Sequence, residues 1–584
     1  RMKGLRPIPF PDATASPTSE VPIHFPTATM RRPFGTGGSL FFTIFCFLAT
    51  AWLSCAAMAS AGEPQPAGEQ PLAETLRQRV AAVRAELEYL DARYGREDKD
   101  WDALRGKLAV LLERCENELG SDAARNPATL TGLLRELEQK TSHRLLKQLP
   151  GSEIGAGRFG AYCTKLKYYA AWDKTWRVGE QADVVVRFDD GRHKFLFWRG
   201  TNYIPHWVTP NGIWYNNGFL ETHTPQTYVC CEPMSDKQCR YSHVRVVENH
   251  PARVVIHWRY ALNDVYNKIA WTDPKTGWGD WADEYYVIYP DAIGTRKVVC
   301  WSENWDGWKA NTTAGTGHEW QEGIVVYNAF SRPEESVAID AVHVANMQGE
   351  AAQWSWAQPG RPAAPVPPNS NIAVMNLRSE VRPFVISPEG CRMAAYSGCQ
   401  GGSHFRWRDH WPTTLGPEPG RDASGKQAAH GSFFWLIDTP VHQRGEQWKS
   451  KVFLHGMTGR SAGELAGLAR SWLRPPRLKI DSGNCLDHGY SREERAYKLG
   501  RRQGSDEAIE ITIDASEDSP LVNLALVVEG WGTAGADVLL DGKPLPPGPA
   551  LRCGHRDQLV GTDLLLWLKL EARKPVRMVL QPTH

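Results

Sequence analysis

Apolar residues recur along this chain with two different periods. Between 72 and 148 they return every three or four positions: Leu72, Leu76, Val80, Val83, Leu87 and Leu90, then stretches from Leu104 to Leu119 and from Leu130 to Leu146. Charged residues fill the other faces, so the spacing predicts amphipathic helices in a small hairpin or bundle, with no chemistry of their own. From about Gly155 the period drops to two. "ADVVVRFDD", "KFLFWRG", "VRVVENHPARVVIHWRYAL" and "DEYYVIYPDAIGTRKVVCW" are β-branched and aromatic, broken by turns such as Asp189-Asp190-Gly191. Long alternating strands suit large stacked sheets. No repeat of fixed length is visible, which counts against a propeller. Beyond Pro475-Pro476, "EAIEITIDAS", "PLVNLALVVEG" and "LLLWLKLEA" form a smaller β unit with a hairpin turn at Asp541-Gly542.

The predicted fold is therefore mainly β: a large double-sheet β-sandwich preceded by a helical segment and followed by a C-terminal β-sandwich, with a β-propeller as the alternative. The expected organisation is a helical prefix over 62–150, a catalytic β domain over 151–470 and an accessory sandwich over 477–584. Ahead of these, Met30-Arg31-Arg32 makes a basic start, an apolar run extends from Leu40 to Trp52, and Ala59-Ser60-Ala61 fits a small-x-small cleavage site. That pattern predicts a signal peptide over 30–61, a mature chain from Gly62, and a non-structural upstream extension over 1–29. The rivals are a membrane anchor, since the apolar run approaches a spanning length, and lipid attachment at Cys55. The expected destination is outside the cytoplasm, as a secreted, periplasmic or cell-surface protein with no stable membrane insertion after cleavage.

Export permits disulfides. Of the 12 Cys, Cys230, Cys231, Cys239, Cys391 and Cys399 form two local groups, so local disulfides are expected. No CxxC pair has a matching partner, so no metal site is predicted. A net charge of +1 removes the electrostatic basis for nucleic-acid binding. With 24 Trp against 9 Met, rigid amphipathic rings are abundant, which suits recognition surfaces as well as core.

Three segments combine such rings with polar chemistry. "FWRGTNYIPHWVTPNGIWYNN" sets Arg199, Asn202, Tyr203 and His206 among Trp198, Trp207 and Trp214. Arg199 offers a planar donor fork for a carboxylate or sulfate, and Tyr203 and His206 are acid/base types. "GTGHEWQEGIVVYN", read as a strand, puts His318, Trp320 and Glu322 on one face and Glu319 and Gln321 on the other. "HFRWRDHWPTTLGPEPGRDASGKQAAHG" crowds His410, Trp411 and Arg421 into a segment too rich in Gly and Pro to be regular. "HWRYAL" adds His257 and Arg259 on one strand face and Trp258 and Tyr260 on the other, either of which could line a cleft. For each residue alone, packing is the commoner role; the combination is what suggests a sugar site. Aromatic faces stack on sugar rings and arginines take acidic substituents. Elimination from a uronic acid needs its carboxylate neutralised, a base for C5–H and an acid for the C4 oxygen. Hydrolysis needs two facing carboxylic acids instead, which Glu319, Glu322, Asp283 and Glu284 could supply.

At these same segments the chain resembles secreted bacterial polysaccharide lyases acting on ulvan-type sulfated algal glycans, closest to polysaccharide lyase family forty. The likeness rests on "WRVGEQADVVVRFDD", the Phe197–Asn217 stretch, "EPMSDKQCRYSHVRVVENHPARVVIHWRYAL", "GWGDWADEYYVIYPDAIGTRKV" and "HEWQE", and covers about 155–440. "VVIHWRYAL…EYYVIYPDAIGTRKV" also resembles the galactose-mutarotase-like supersandwich. The resemblance implies cleavage between a sulfated rhamnose and a uronic acid, leaving an unsaturated sugar end. Two stretches, "NGFLETHTPQTYVCCEP" and "HWPTTLGPEPGRDASG", depart from the family's pattern.

The expectation is an exported lyase for an anionic polysaccharide. Tyr203 and His206 are the expected base and acid, with His318 or His410 as substitutes. Arg199, Asn202 and Gln321 are expected to neutralise the carboxylate. Trp198, Trp207, Trp214, Arg259, Trp320, Glu322, Trp411 and Arg421 are expected to bind substrate. No cofactor is required, and a structural or substrate-bridging Ca2+ is compatible with such a site. A glycoside hydrolase of the same fold and a non-catalytic glycan-binding surface protein are the competing readings.

Overall fold

The computed structural model describes parts of 77–136 and, with short interruptions, 154–166, 182–302, 318–396 and 429–583. The signal-peptide region, with Cys55, and the His410, Trp411 and Arg421 segment lie outside the described residues. Among the described residues no helix is long and apolar enough to cross a membrane.

Helix α1, Lys99–Gly120, buries Leu108, Leu111, Leu112 and Cys115 at spacings of three, one and three. This stripe packs with Val80, Val83 and Leu134 as a small separate core.

The main body is two open sheets. The first contains β1 Gly160–Thr164, β2 Asp183–Arg187, β3 Lys194–Phe197, β4 Pro205–Val208 and β5 Trp214–Asn216. The second opens with β6 His243–Asn249, β7 Val254–Ala261, β8 Trp281–Ile288 and β9 Ile293–Trp301. After them come β10 Glu322–Tyr327, β11 Val337–Ala345, β12 Ala351–Trp354, β13 Ile372–Leu377 and β14 Arg382–Ile386. Last are β15 Arg392–Ala395, β16 Ala429–Ile437, β17 Gln443–Arg444 and β18 Trp448–Thr458. The first sheet has the order β1-β2-β3-β4-β5-β10-β16-β15, and the second β12-β11-β13-β14-β18-β9-β8-β7-β6 with β17 on β18. Neither closes into a barrel, and they face each other across one core rather than radiating as propeller blades. Phe195, Trp207 and Tyr215 from the first sheet meet Ile256, Trp258, Tyr286 and Phe453 from the second. Each large side chain so buried contributes about 1.5–3 kcal/mol.

One ionic network crosses this interior. Arg296 donates from Nε and Nη2 to the two oxygens of Glu284, both at 2.7 Å, and from Nη1 to the Trp320 carbonyl at 2.6 Å and Gln321 Oε1 at 2.8 Å. Tyr260 donates to Glu284 at 2.6 Å, and Tyr286 donates to its other oxygen. Arg296 and Glu284 are fully buried, and their attraction works against the cost of desolvation with each of the three guanidinium nitrogens hydrogen-bonded.

From Arg477 onward the strands form two further sheets. One joins β19 Arg477–Ser482, β22 Ile509–Asp514, β24 Gly535–Leu540, β25 Lys543–Leu545 and β28 Val576–Thr583. The other joins β20 Cys485–Ser491, β21 Ala496–Arg501, β23 Leu521–Glu529, β26 Leu551–Asp557 and β27 Thr562–Ala572. They share one apolar core. Asp541 and Gly542, at φ 48 and 77, make the two-residue turn between β24 and β25. Ala496, Val527, Leu565 and Trp567 pack on Val255 and Val287 of the second large sheet. Around that contact, Arg253 pairs with Glu248 and Glu494, and Arg495 with Asp291.

The expected local disulfides are absent: Cys230, Cys231, Cys239 and Cys391 are free thiols, as is every other described cysteine. Cys399 lies outside the described residues.

Candidate functional site

The Phe197–Asn217 stretch is interior. Trp198, Trp207 and Trp214 are 2, 0 and 1 % exposed, so their rings fill core instead of facing a sugar. Trp207 Nε1 donates to His455 Nδ1 at 2.8 Å, and Trp214 lies against the His206 ring at 4.9 Å. Burial alone holds His206 neutral, with its pKa pushed down to about 3. A neutral, enclosed imidazole cannot act as the acid expected of it. Arg199 is committed to Asp183 at 2.5 Å and to the Leu166 carbonyl at 3.1 Å. Asp183 itself is pushed up to about 6 by burial, against the lowering influence of Arg199.

Asn202 and Tyr203 follow a short turn at φ 56 and 59, the left-handed region that bulky residues rarely occupy. Asn202 is locked there by a 2.6 Å bond to the Pro233 carbonyl, and Tyr203 is 1 % exposed. Phe219, Leu220 and Met234 belong to the same core.

The second segment also departs from a simple strand. β10 begins only at Glu322, and the residues before it diverge. His318 turns to Asp280 at 2.8 Å and Cys300 at 3.4 Å. Trp320 sits under the Lys451 ammonium at 4.7 Å, and Gln321 is spent on Arg296. Glu322 joins Glu319 instead of His318. Together with Glu221 and Glu232 they form a carboxylate cluster, in which Tyr396 donates to Glu319 Oε1 at 3.3 Å. Burial pushes Glu319 up to about 7, and raises Glu221 and Glu322 well above the usual carboxylate range with help from their neighbours' charge.

A further cluster of polar and aromatic groups lies on the outer face of the second large sheet. β6 alternates, leaving His243, Arg245, Val247 and Asn249 exposed. Across the rungs, Arg245 faces His257, then Tyr285, then Lys297; one step along come His243, Arg259, Asp283 and Val299. Trp281, Trp301 and Trp448 make the next rung. Trp258 and Tyr260 point into the core, so His257 and Arg259 lie on the outer face; Arg259 is half-buried, and His257, 6 % exposed, is covered by its neighbours.

The hydrogen bonds define the imidazole. Arg245 Nε donates to His257 Nδ1 at 3.1 Å, which makes Nδ1 the acceptor and leaves Nε2–H to donate to Asp283 Oδ1 at 2.7 Å. Asp283 Oδ2 accepts from Arg259 at 2.5 Å and from Trp301 Nε1 at 2.8 Å. Burial opposes the Asp283 charge, but the His257 bond and Arg259 outweigh it and hold the carboxyl below its ordinary value. Tyr285 stacks on His257 with centroids 4.7 Å apart; burial, then the Asp283 charge, raise its hydroxyl pKa. Arg259 lies 5.0 Å over Trp281, and Trp278 and Trp301 are 58 and 39 % exposed beside it. Past Tyr285 the face runs into a cavity of about 230 Å³ bordered by Arg253, Lys297, Glu493 and Arg556. The arrangement offers stacking surface, two guanidinium groups, an oriented imidazole and a protonated phenol in one stretch.

A larger cavity, about 590 Å³, lies by β1 and holds Arg158, Tyr162, Arg187, Asn249 and His250. There Asn249 is tied at both ends to the Ala161 backbone and Arg187 covers the Tyr162 ring at 5.3 Å, so these groups engage one another.

Of the residues named from the sequence, His257, Arg259 and Asp283 belong to the outer-face cluster, the last named there only as a possible hydrolytic carboxylate; Arg245, Tyr285, Trp281 and Trp301 were missed. Alternation in "HVRVVEN" and "WADEYYVI" marks their faces, but only strand register shows that they meet.

No protein-family model and no curated protein matches the chain. Among solved structures it is similar to a galactose 1-epimerase from Lactobacillus acidophilus NCFM, at 6% identity and TM-score 0.24, covering 51% of this chain and 99% of that one. It is also similar to heparan sulfate lyase HepC from Pedobacter heparinus, at 8% identity and TM-score 0.24, covering 80% and 68%. A heparinase III gives 10% identity and TM-score 0.22, covering 81% and 67%.

Proposed function

We propose that the chain is an exported polysaccharide lyase that cleaves a uronate-containing, sulfated, ulvan-like polysaccharide by β-elimination, without a cofactor in the chemical step. The observation that carries this reading is His257, held between Arg245 and Asp283 beneath the part-exposed ring of Tyr285 on the outer sheet face. The segment resemblance to ulvan-type lyases supports the substrate class.

In this mechanism the uronate carboxylate draws Arg245 away from His257 and binds it, which acidifies C5–H and frees the Nδ1 lone pair. Nδ1 takes the C5 proton while Asp283 stabilises the resulting imidazolium through Nε2–H. The C5–H electron pair becomes the C4–C5 double bond. The C4–O bond breaks, and the Tyr285 hydroxyl gives its proton to the departing oxygen. Water is not consumed. Arg259, with Trp281, Trp301 and Trp278, would hold a neighbouring sulfated sugar by charge and stacking.

A second reading, hydrolysis, is favoured by one observation: Glu319 holds its proton up to about pH 7 beside other carboxylates, as a general acid must. Incubation with uronate polysaccharides separates the two. Ultraviolet absorbance from unsaturated ends supports elimination, reducing ends without it indicate hydrolysis, and binding with neither product indicates a glycan-binding protein.

A further inference from the structure

We propose that Glu221, His223 and Cys230 bind one divalent transition-metal ion of the zinc type, at a site separate from the sheet-face chemistry. Their donor atoms all lie within 4.8 Å of one another. Cys230 Sγ stands 3.3 Å from Glu221 Oε2. Zinc bonds of about 2.0 Å to oxygen and 2.3 Å to sulfur at a tetrahedral angle separate those two atoms by about 3.5 Å. The pair is therefore already spaced to share an ion.

The backbone explains why the three meet. Thr222 and Cys231 exchange hydrogen bonds of 3.0 and 2.8 Å, which closes a hairpin with Glu221 and His223 flanking Thr222 on one arm and Cys230 next to Cys231 on the other. Glu221 is pinned from its far side by a second exchange, with Glu319, at 3.0 Å each way. Two adjacent bridges thus hold the ligand-bearing backbone before any ion arrives, which lowers the ordering cost of binding.

Charge and softness select the ion. Glu221 and Cys230 are 8 and 7 % exposed, while His223 is exposed and gives the site an opening for entry and for a water as fourth ligand. When a dication binds, the Cys230 S–H proton and the proton that burial keeps on the Glu221 carboxyl are released to solvent, and the Sγ–metal and carboxylate–metal bonds form. One thiolate, one carboxylate and a neutral imidazole then balance the two positive charges. A thiolate and an imidazole suit zinc and are poor donors for calcium, which prefers oxygen. The segment between Phe219 and Met234 carries core residues at both ends, and an ion here would tie its two arms to each other.

No CxxC signature marks this site; its pattern is Glu-x-His followed by Cys seven residues on. The test uses untagged, reduced full chain, loaded with Zn2+ and then with Co2+ in its place. Dialysed protein should retain about one zinc per chain. The cobalt form should show thiolate-to-metal charge-transfer absorption in the near ultraviolet. Cys230→Ser should abolish that band, and exposed His223→Ala should weaken zinc affinity at least tenfold with an unchanged far-ultraviolet CD spectrum. Zinc retention equal in His223→Ala and the parent, or a cobalt spectrum without a thiolate band, would overturn the assignment.

Discussion

His257 Nε2 lies 2.7 Å from Asp283 Oδ1 on the outer face of the second large sheet, and the Arg245 guanidinium occupies the other ring nitrogen. The carboxylate orients the ring and the arginine guards its lone pair. Asp283→Asn keeps the shape but loses the charge that would stabilise an imidazolium. The expected result is a fall in kcat of about 10- to 100-fold with KM nearly unchanged, from the same class of proton-transfer loss that costs 10²–10⁴ when a base is removed outright. Initial rates of double-bond formation check it.

Tyr285→Phe removes only the hydroxyl and keeps the ring on His257. Its kcat should drop by about 10²-fold or more, since the leaving oxygen loses its proton donor. Trp301→Ala, by contrast, should raise KM and leave kcat within a few fold, because it removes a stacking surface and one hydrogen bond to Asp283. A KM effect in Tyr285→Phe with unchanged kcat would remove it from the proton transfer.

The Arg296–Glu284 pair gives a stability prediction. Truncating one partner, as in Glu284→Ala, leaves a fully buried guanidinium without its counter-ion and should cost about 3–5 kcal/mol. Thermal denaturation followed by near-ultraviolet CD should show this as a clear drop in Tm. The Arg296→Met, Glu284→Leu double change should recover part of it, because no charge is then stranded.

Glu319 predicts a pH dependence. Its folded pKa, about 7, is raised above the ordinary 4.5, so the folded state binds its proton more tightly than the unfolded chain does. That contribution to stability is full below pH 4.5 and is lost as pH rises through about 7. Glu319→Gln, which cannot ionise, should flatten this part of the stability–pH profile. An unchanged slope between those values would place the titration on another group.

The architecture was legible from periodicity. Strand alternation marked the sheets, Leu108, Leu111, Leu112 and Cys115 marked a helical stripe, and Asp541-Gly542 marked its hairpin. The site was much less so. Tryptophans interleaved with Arg199, Asn202 and His206 suit a buried face as well as an open trough, and nothing local says that a second layer lies over them. His257, Asp283 and Tyr285 sit on two strands whose faces alternate readably, but their alignment depends on a register that only the folded sheet supplies. Gln321 reads as a substrate ligand until Arg296, 25 residues earlier, is seen to hold it.

The most direct test of the account is the rate at which double-bond absorbance develops from a sulfated uronate polysaccharide, compared among the parent chain, His257→Ala and His250→Ala. Elimination on the sheet face predicts a rising signal for the parent, a loss of at least about 10²-fold for His257→Ala with substrate binding retained, and a rate near the parent for His250→Ala. Full activity in His257→Ala, or loss confined to His250→Ala, would contradict it and move the chemistry to the cavity beside β1.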